Sequence, residues 1–155
     1  MTDERFALCA KENMDAVFRL AYGYLKNSAD AEDVTQEVLL RLYRTETDFA
    51  SDEHLKRWLI RVTINCCKSL FRSPWRRREN LDDYAETLGF EREDYTALFT
   101  AVMGLDRKYR VPLLLYYFEG YSVKEIGSLL KLPENTVSTR LRRARAKLKD
   151  QLSEE

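Results

Sequence analysis

Apolar residues recur with a helical period in one stretch of this chain after another, and the pattern predicts an all-α protein. Over residues 4 to 26, Phe6, Ala10, Val17, Leu20, Ala21 and Tyr24 supply a core side, and Asn27-Ser28 interrupts it. Asp30 is placed to cap the next helix, ADAEDVTQEVLLRLYR, in which Val34, Val38 and Leu42 run at i, i+4, i+8 with Ala31 in line. Asp33, Gln36, Glu37, Leu40, Arg41 and Arg44 are left facing outward. That outward face has two readings: a lone exposed leucine beside a Glu37–Arg41 pair, or a docking surface for a basic partner helix.

A third helix follows over 55 to 72, with Leu55, Leu59, Val62, Cys66 and Leu70 on its apolar side and Pro74 closing it. On another side Trp58, Arg61, Asn65, Lys68 and Arg72 form one stripe of cation, amide and indole, followed by Trp75 and Arg76-Arg77-Arg78. Cations follow phosphates while aromatic faces stack on unpaired bases, so the stripe suits opened DNA. The alternative is a tryptophan buried under the first helices with snorkelling cations around it.

Near the C-terminus the pattern becomes a helix-turn-helix. Ser122 and Glu125 have capping-box spacing, and Val123, Ile126, Leu129 and Leu130 share one face. Gly127 sits mid-helix, where glycine costs about 1 kcal/mol, which implies close packing. Pro133 ends this helix and a second begins near Glu134. In that second helix Val137, Leu141, Ala144 and Leu148 make one buried stripe, with Ser138, Thr139, Arg142, Arg143 and Ala146 away from it. Between Arg140 and Lys149 there are six basic residues and no acidic one, a density suited to phosphates and to the acceptor edge of guanine.

The 155 residues, 45% hydrophobic and 12% aromatic, are enough for one domain or two small ones with a real core. Neither a signal peptide nor an 18-residue apolar run is present, so a cytoplasmic protein without direct membrane insertion is expected. Cys9, Cys66 and Cys67 lack CxxC spacing and read as small hydrophobes, with basic neighbours able to lower the pKa of Cys67. No metal and no cofactor is expected. His54 is the one histidine, placed in a polar loop or helix start and read as solvated; with no nucleophile, metal or phosphate-loop constellation, the chain is not expected to be an enzyme. Formal net charge is zero, yet residues 79 to 94 hold seven acids and one base, an acidic connector between more basic blocks.

Four segments carry a resemblance: DAEDVTQEVLLRLYR (30 to 44), LKRWLIRVTINCCKSLFR (55 to 72), LDRKYRVPLLLYYFEGYSVKEIG (105 to 127) and PENTVSTRLRRARAKLK (133 to 149). In this order and spacing the chain resembles the extracytoplasmic-function (group 4) sigma factors of bacterial RNA polymerase. The resemblance implies two small helical domains, a region 2 bundle over 1 to 78 and a region 4 helix-turn-helix over 95 to 155, joined by a linker over 79 to 94. By the same resemblance, Asp33, Gln36, Glu37, Leu40 and Arg41 would dock on the clamp helices of the polymerase's largest subunit, and the second domain on the flap of the second-largest. Trp58, Arg61, Asn65, Lys68 and Arg72 would recognise and melt the −10 element, beside a loop at 47 to 54 that captures a flipped-out base. Asn135, Thr136, Ser138, Thr139, Arg140, Arg142 and Arg143 would bind the −35 element, with Arg140 and Arg145 better placed for backbone or packing contacts than for base edges. An anti-sigma factor is the implied regulator.

Within the family pattern, Lys131 stands where glycine is usual, so either a left-handed turn there carries strain or the turn has a different geometry. Gly127 stands where alanine is common, and Ser138 where Lys or Arg is frequent. Pro112 is expected to kink its helix or mark the first turn. A stand-alone helix-turn-helix regulator is the competing reading, and it leaves the 58 to 72 stripe unexplained.

Overall fold

In a computed structural model of the chain, residues 1–71 and 93–153 are described, and among them every regular element is helical. Contacts divide the chain into two compact units, Met1–Leu81 and Asp82–Glu155.

The first unit is three helices, α1 (Asp3–Leu25), α2 (Ser28–Arg44) and α3 (Asp52–Phe71), each packed on the other two. Thr2 caps α1 through its hydroxyl, and Lys26 ends it in the left-handed region at φ 53°. The cap of α2 is Asn27 and not Asp30: the Asn27 side chain accepts the Asp30 N–H at 2.9 Å, so Asp30 lies within the first turn. Asparagine at this break serves as well as aspartate, and the sequence pattern alone does not choose between them.

Val34, Val38 and Leu42 are buried on α2 as their spacing requires, with Ala31 in line. In α3 the buried face is wider than Leu55, Leu59 and Cys66, for Ile60, Thr63, Ile64 and Cys67 are buried too, whereas Val62 and Leu70 keep some exposure. A helix wedged between two neighbours buries two adjacent rows, and polar Thr63 joins them because its hydroxyl donates back to the Leu59 carbonyl at 2.6 Å. Thr35 in α2 does the same to Ala31 at 2.7 Å.

The second unit contains α4 (Glu93–Met103), α5 (Arg107–Leu113), α6 (Val123–Leu130) and α7 (Glu134–Ser153), with α5 running into a π-helical segment, Leu114–Phe118. Thus α4 begins two residues inside the segment read as connector. Pro112 lies in the second turn of α5, beyond the first-turn position that proline tolerates best, and the helix neither stops nor simply bends. It widens: the Glu119 N–H reaches the Leu114 carbonyl five residues back at 3.2 Å. The core is built from Phe99, Val102 and Met103 of α4, the apolar residues of α5, and the Val137, Leu141, Ala144 and Leu148 stripe of α7.

The capping box is formed on both sides, Ser122 Oγ accepting from Glu125 N–H at 3.2 Å and the Glu125 carboxylate accepting from Ser122 N–H at 3.1 Å. Lys131, not Pro133, terminates α6, in the left-handed conformation at φ 58°, ψ 47°. Pro133 instead opens α7, its carbonyl accepting from Val137 N–H at 3.1 Å. The close packing at Gly127 is against the turn itself: a Cβ there would sit 2.8 Å from the Leu132 carbonyl oxygen. The same turn is closed by the Leu132 N–H donating to the Gly127 carbonyl at 2.9 Å.

Left-handed backbone costs a residue with a Cβ about 1 kcal/mol. Lys131→Gly is therefore expected to stabilise the second unit by about 1 kcal/mol, less the extra freedom that glycine gains when unfolded. Slower amide exchange across α6 is the measurement that checks it.

Candidate nucleic-acid interface

On the first unit, Asp33, Gln36, Glu37, Leu40 and Arg41 are all exposed along one side of α2, with Leu40 45% exposed. Arg41 Nε donates to the Glu37 carboxylate at 3.0 Å, so two charges of this face form an i, i+4 pair. That bond chiefly raises the Arg41 pKa. The pair is half exposed on both sides and adds little to stability.

Asp33, Glu37 and Arg41 border a groove of roughly 430 Å³ whose other wall is Asn65, Cys66, Ser69 and Leu70 of α3. Asn65 therefore stands both in the α3 stripe and against the outward face of α2. Cys66 lies 9% exposed in this wall, and burial pushes its thiol pKa up, with Arg41 opposing. Cys67 is fully buried, and Cys9 is buried with 7% exposure. None of the three is in a disulfide and all pack as small hydrophobes, and among the described residues no cluster of His, Cys, Asp or Glu is built to hold a metal.

Along α3, Arg61 is exposed, Trp58 and Lys68 are half-buried, and Arg72 lies outside the described residues with Trp75 and the three arginines after it. Trp58 is not sealed under the first helices. Its ring meets Phe49 edge-to-face at 5.5 Å, and Phe49 is 7% exposed although it stands in an otherwise polar loop. Ser51 caps α3, its hydroxyl accepting from His54 N–H at 3.1 Å, and the Asp52 and Glu53 that follow place acids at the positive end of the helix dipole.

On the second unit, Asn135, Ser138, Arg142 and Arg143 are exposed, and Thr136, Thr139 and Arg140 are half-buried. Asn135, Thr136, Thr139, Arg140 and Arg143 line one open groove of roughly 370 Å³, closed on its far side by Lys108 and Tyr109 of α5. Ser138 and Arg142 lie outside that lining. Arg145 turns to the π segment, where its Nε donates to the Tyr117 hydroxyl at 2.7 Å and its guanidinium lies over the Tyr116 and Tyr117 rings at 5.2 and 5.7 Å.

Lys108 and Tyr109 did not stand out in the sequence as members of this surface. Their signal was the basic run Arg107-Lys108-Tyr109-Arg110, but periodicity does not say which of those cations is outside. Lys108 is exposed, whereas Arg110 is 4% exposed and donates to the Leu105 carbonyl at 2.8 Å, so one is a surface charge and the other a strut.

With this geometry in view, comparison with known proteins is decisive. The sigma-70 region 2 family model matches residues 9–77 and the sigma-70 region 4 model matches residues 95–148. The chain is 29% identical over 150 residues to the RNA polymerase sigma factor SigV of Bacillus subtilis, covering 95% of this chain and 90% of that one. It is 30% identical over 134 residues to the extracytoplasmic-function sigma factor SigM of Mycobacterium tuberculosis, covering 84% and 68%. Among solved structures it superposes on the sigma factor RpoE of Bartonella quintana, captured with the anti-sigma factor NepR, at a TM-score of 0.75 and 20% identity over 97% of this chain and 98% of that one. The fold is thus that of a two-domain sigma factor, and the paired regions rule out a stand-alone helix-turn-helix regulator. The chain belongs to the extracytoplasmic-function sigma factors of the sigma-70 family, the proteins that direct RNA polymerase to promoters.

Proposed function

We propose that each of the two units supplies one promoter contact, and that α2 adds the polymerase contact. The observation that supports this most is on the first unit, where one side of α2 is fully buried and the opposite side presents Asp33, Gln36, Glu37 and Leu40 to solvent. An exposed leucine among acids and an amide suits the basic clamp helices of the polymerase's largest subunit, since an apolar anchor ringed by charge gives both affinity and register. Arg41 belongs to this face through its pair with Glu37.

On the neighbouring side, Trp58, Arg61, Asn65, Lys68 and Arg72, with the loop at 47 to 54, take the −10 element. Cations hold the backbone and the loop captures an unpaired base, whose binding offsets an unstacking cost of about a few kcal/mol. On the second unit, Ser138, Thr139, Arg142 and Arg143 of α7 read base edges of the −35 element. Asn135, Thr136 and Arg140 hold phosphates, and the polymerase flap engages this unit. The functional domains run over 1 to 78 and 95 to 155 with 79 to 94 as linker. Splitting recognition in this way makes each contact weak alone and strong together.

The activity is binding, not covalent chemistry, and its setting is the cytoplasm. Among the described residues no helix is long and apolar enough to cross a membrane. An anti-sigma factor that covers these same surfaces is the fitting regulator; the structural neighbour RpoE of Bartonella quintana was itself captured in complex with an anti-sigma factor.

Leu40→Arg tests the polymerase contact. It leaves the buried side of α2 untouched, so helix content should be unchanged while affinity for polymerase core falls about tenfold, the range of a central interface residue. Unaltered affinity would remove α2 from that interface.

A further inference from the structure

In a capping box the N-cap hydroxyl takes the amide of the third helical residue, and a Glu or Gln at that third position takes the N-cap's own amide in return. Helix α3 has the first half of this arrangement, with Ser51 as cap and His54 as third residue. The return bond goes elsewhere. His54 Nδ1 reaches one residue further back and accepts the Ala50 N–H at 3.0 Å, so it ties the preceding loop to the helix.

The same imidazole packs edge-to-face on Phe49 at 5.2 Å, and Phe49 in turn meets Trp58 at 5.5 Å. Phe49 is the buried anchor of the loop, flanked by exposed Asp48 and Ala50. Nearer its start the loop is braced by the Thr47 N–H and the Thr45 hydroxyl, which donate to Thr45 Oγ1 and Thr47 Oγ1 at 3.2 and 2.9 Å. His54 thus touches both the loop's anchor and its last backbone amide before the helix cap.

We propose that His54 is a positioning residue for capture of an unpaired promoter base: through Nδ1 it fastens the loop, and with it Phe49, against the indole of Trp58. The proposal rests on reading 47 to 54 as the −10 capture loop. Acceptance at Nδ1 requires the neutral imidazole with its proton on Nε2. A loop fastened before DNA arrives does not have to be ordered at the moment of capture, so the ordering entropy is not subtracted from the binding of the base.

The test uses polymerase holoenzyme and a promoter carrying 2-aminopurine at the captured −10 position, whose fluorescence reports unstacking. His54→Leu fills a similar space and keeps the Ser51 cap but has no acceptor; His54→Asn restores one, because its Oδ1 falls near the position of Nδ1. Base capture is expected to fall about five- to tenfold in H54L, the weight of one hydrogen bond, and to stay within about twofold of wild type in H54N. The Ala50 amide should exchange slowly in wild type and H54N and quickly in H54L, a readout that does not depend on DNA. Wild-type capture by H54L, or equal loss in both variants, would overturn the proposal. If Trp58→Ala impairs capture while H54L does not, the −10 reading stands and the fastening role falls. A wild-type holoenzyme that unstacks no base at this loop removes both.

Discussion

Replacing Trp58 with alanine is expected to reduce promoter opening about thirtyfold while leaving affinity for polymerase core within about twofold of wild type, because stacking of one base on an aromatic ring is worth about 1–3 kcal/mol. The indole is half-buried and packed edge-to-face with Phe49, so it is held in place with part of its surface available. Its loss removes a stacking partner and also loosens Phe49, and both effects act on melting. Neither acts on the face of α2. Permanganate reactivity of the −10 thymines, scored beside a polymerase-binding titration, separates the two steps. Unchanged reactivity would show that the α3 stripe touches only duplex backbone.

Replacing Arg143 with alanine is expected to weaken promoter binding about tenfold, and only on templates whose upstream element is intact, since a good arginine contact to guanine discriminates by about 1–3 kcal/mol. Arg143 is exposed on the groove that α7 forms with Lys108 and Tyr109, and Arg142 beside it is exposed outside that lining. Arg145, two residues further on, is bound to Tyr117 and braced on two rings. Its replacement should act on the packing of the π segment in place of base choice. An Arg143→Ala protein that loses equal activity on intact and scrambled upstream elements would place Arg143 on phosphate alone.

Much of this arrangement was legible in the sequence because it depends on period. The α2 stripe of Val34, Val38 and Leu42 and the α7 stripe of Val137, Leu141, Ala144 and Leu148 are buried as spacing alone requires. The Ser122–Glu125 box formed as written, since both partners lie within one turn. At Lys131 the local chemistry left two outcomes open, a strained left-handed turn or a different turn geometry, and the backbone takes the left-handed one.

What the sequence concealed depends on contacts between elements. Ile60, Thr63 and Ile64 are buried because α3 packs on two helices at once, a property of the bundle and not of the helix. Pro112 announced a disturbance but not its form: the helix runs on through it and widens only beyond it, at Leu114–Phe118. His54 read as a solvated residue, and it is exposed; its bond to Ala50 and its ring contact with Phe49 depend on the path of a loop with no periodic signature. Lys108 and Arg110 differ only in which side of α5 they occupy, and that was settled by the packing of α5 on α7.

A sigma factor reads its promoter through polymerase, and an independent regulator does not need it. The most direct test is therefore mobility of a promoter duplex with the free protein and with the protein bound to polymerase core, against a duplex with scrambled elements. Sequence-specific retardation should appear only with polymerase present, the free protein showing at most weak, salt-sensitive binding alike on both duplexes. Tight binding of the intact promoter by the free protein alone would contradict the account.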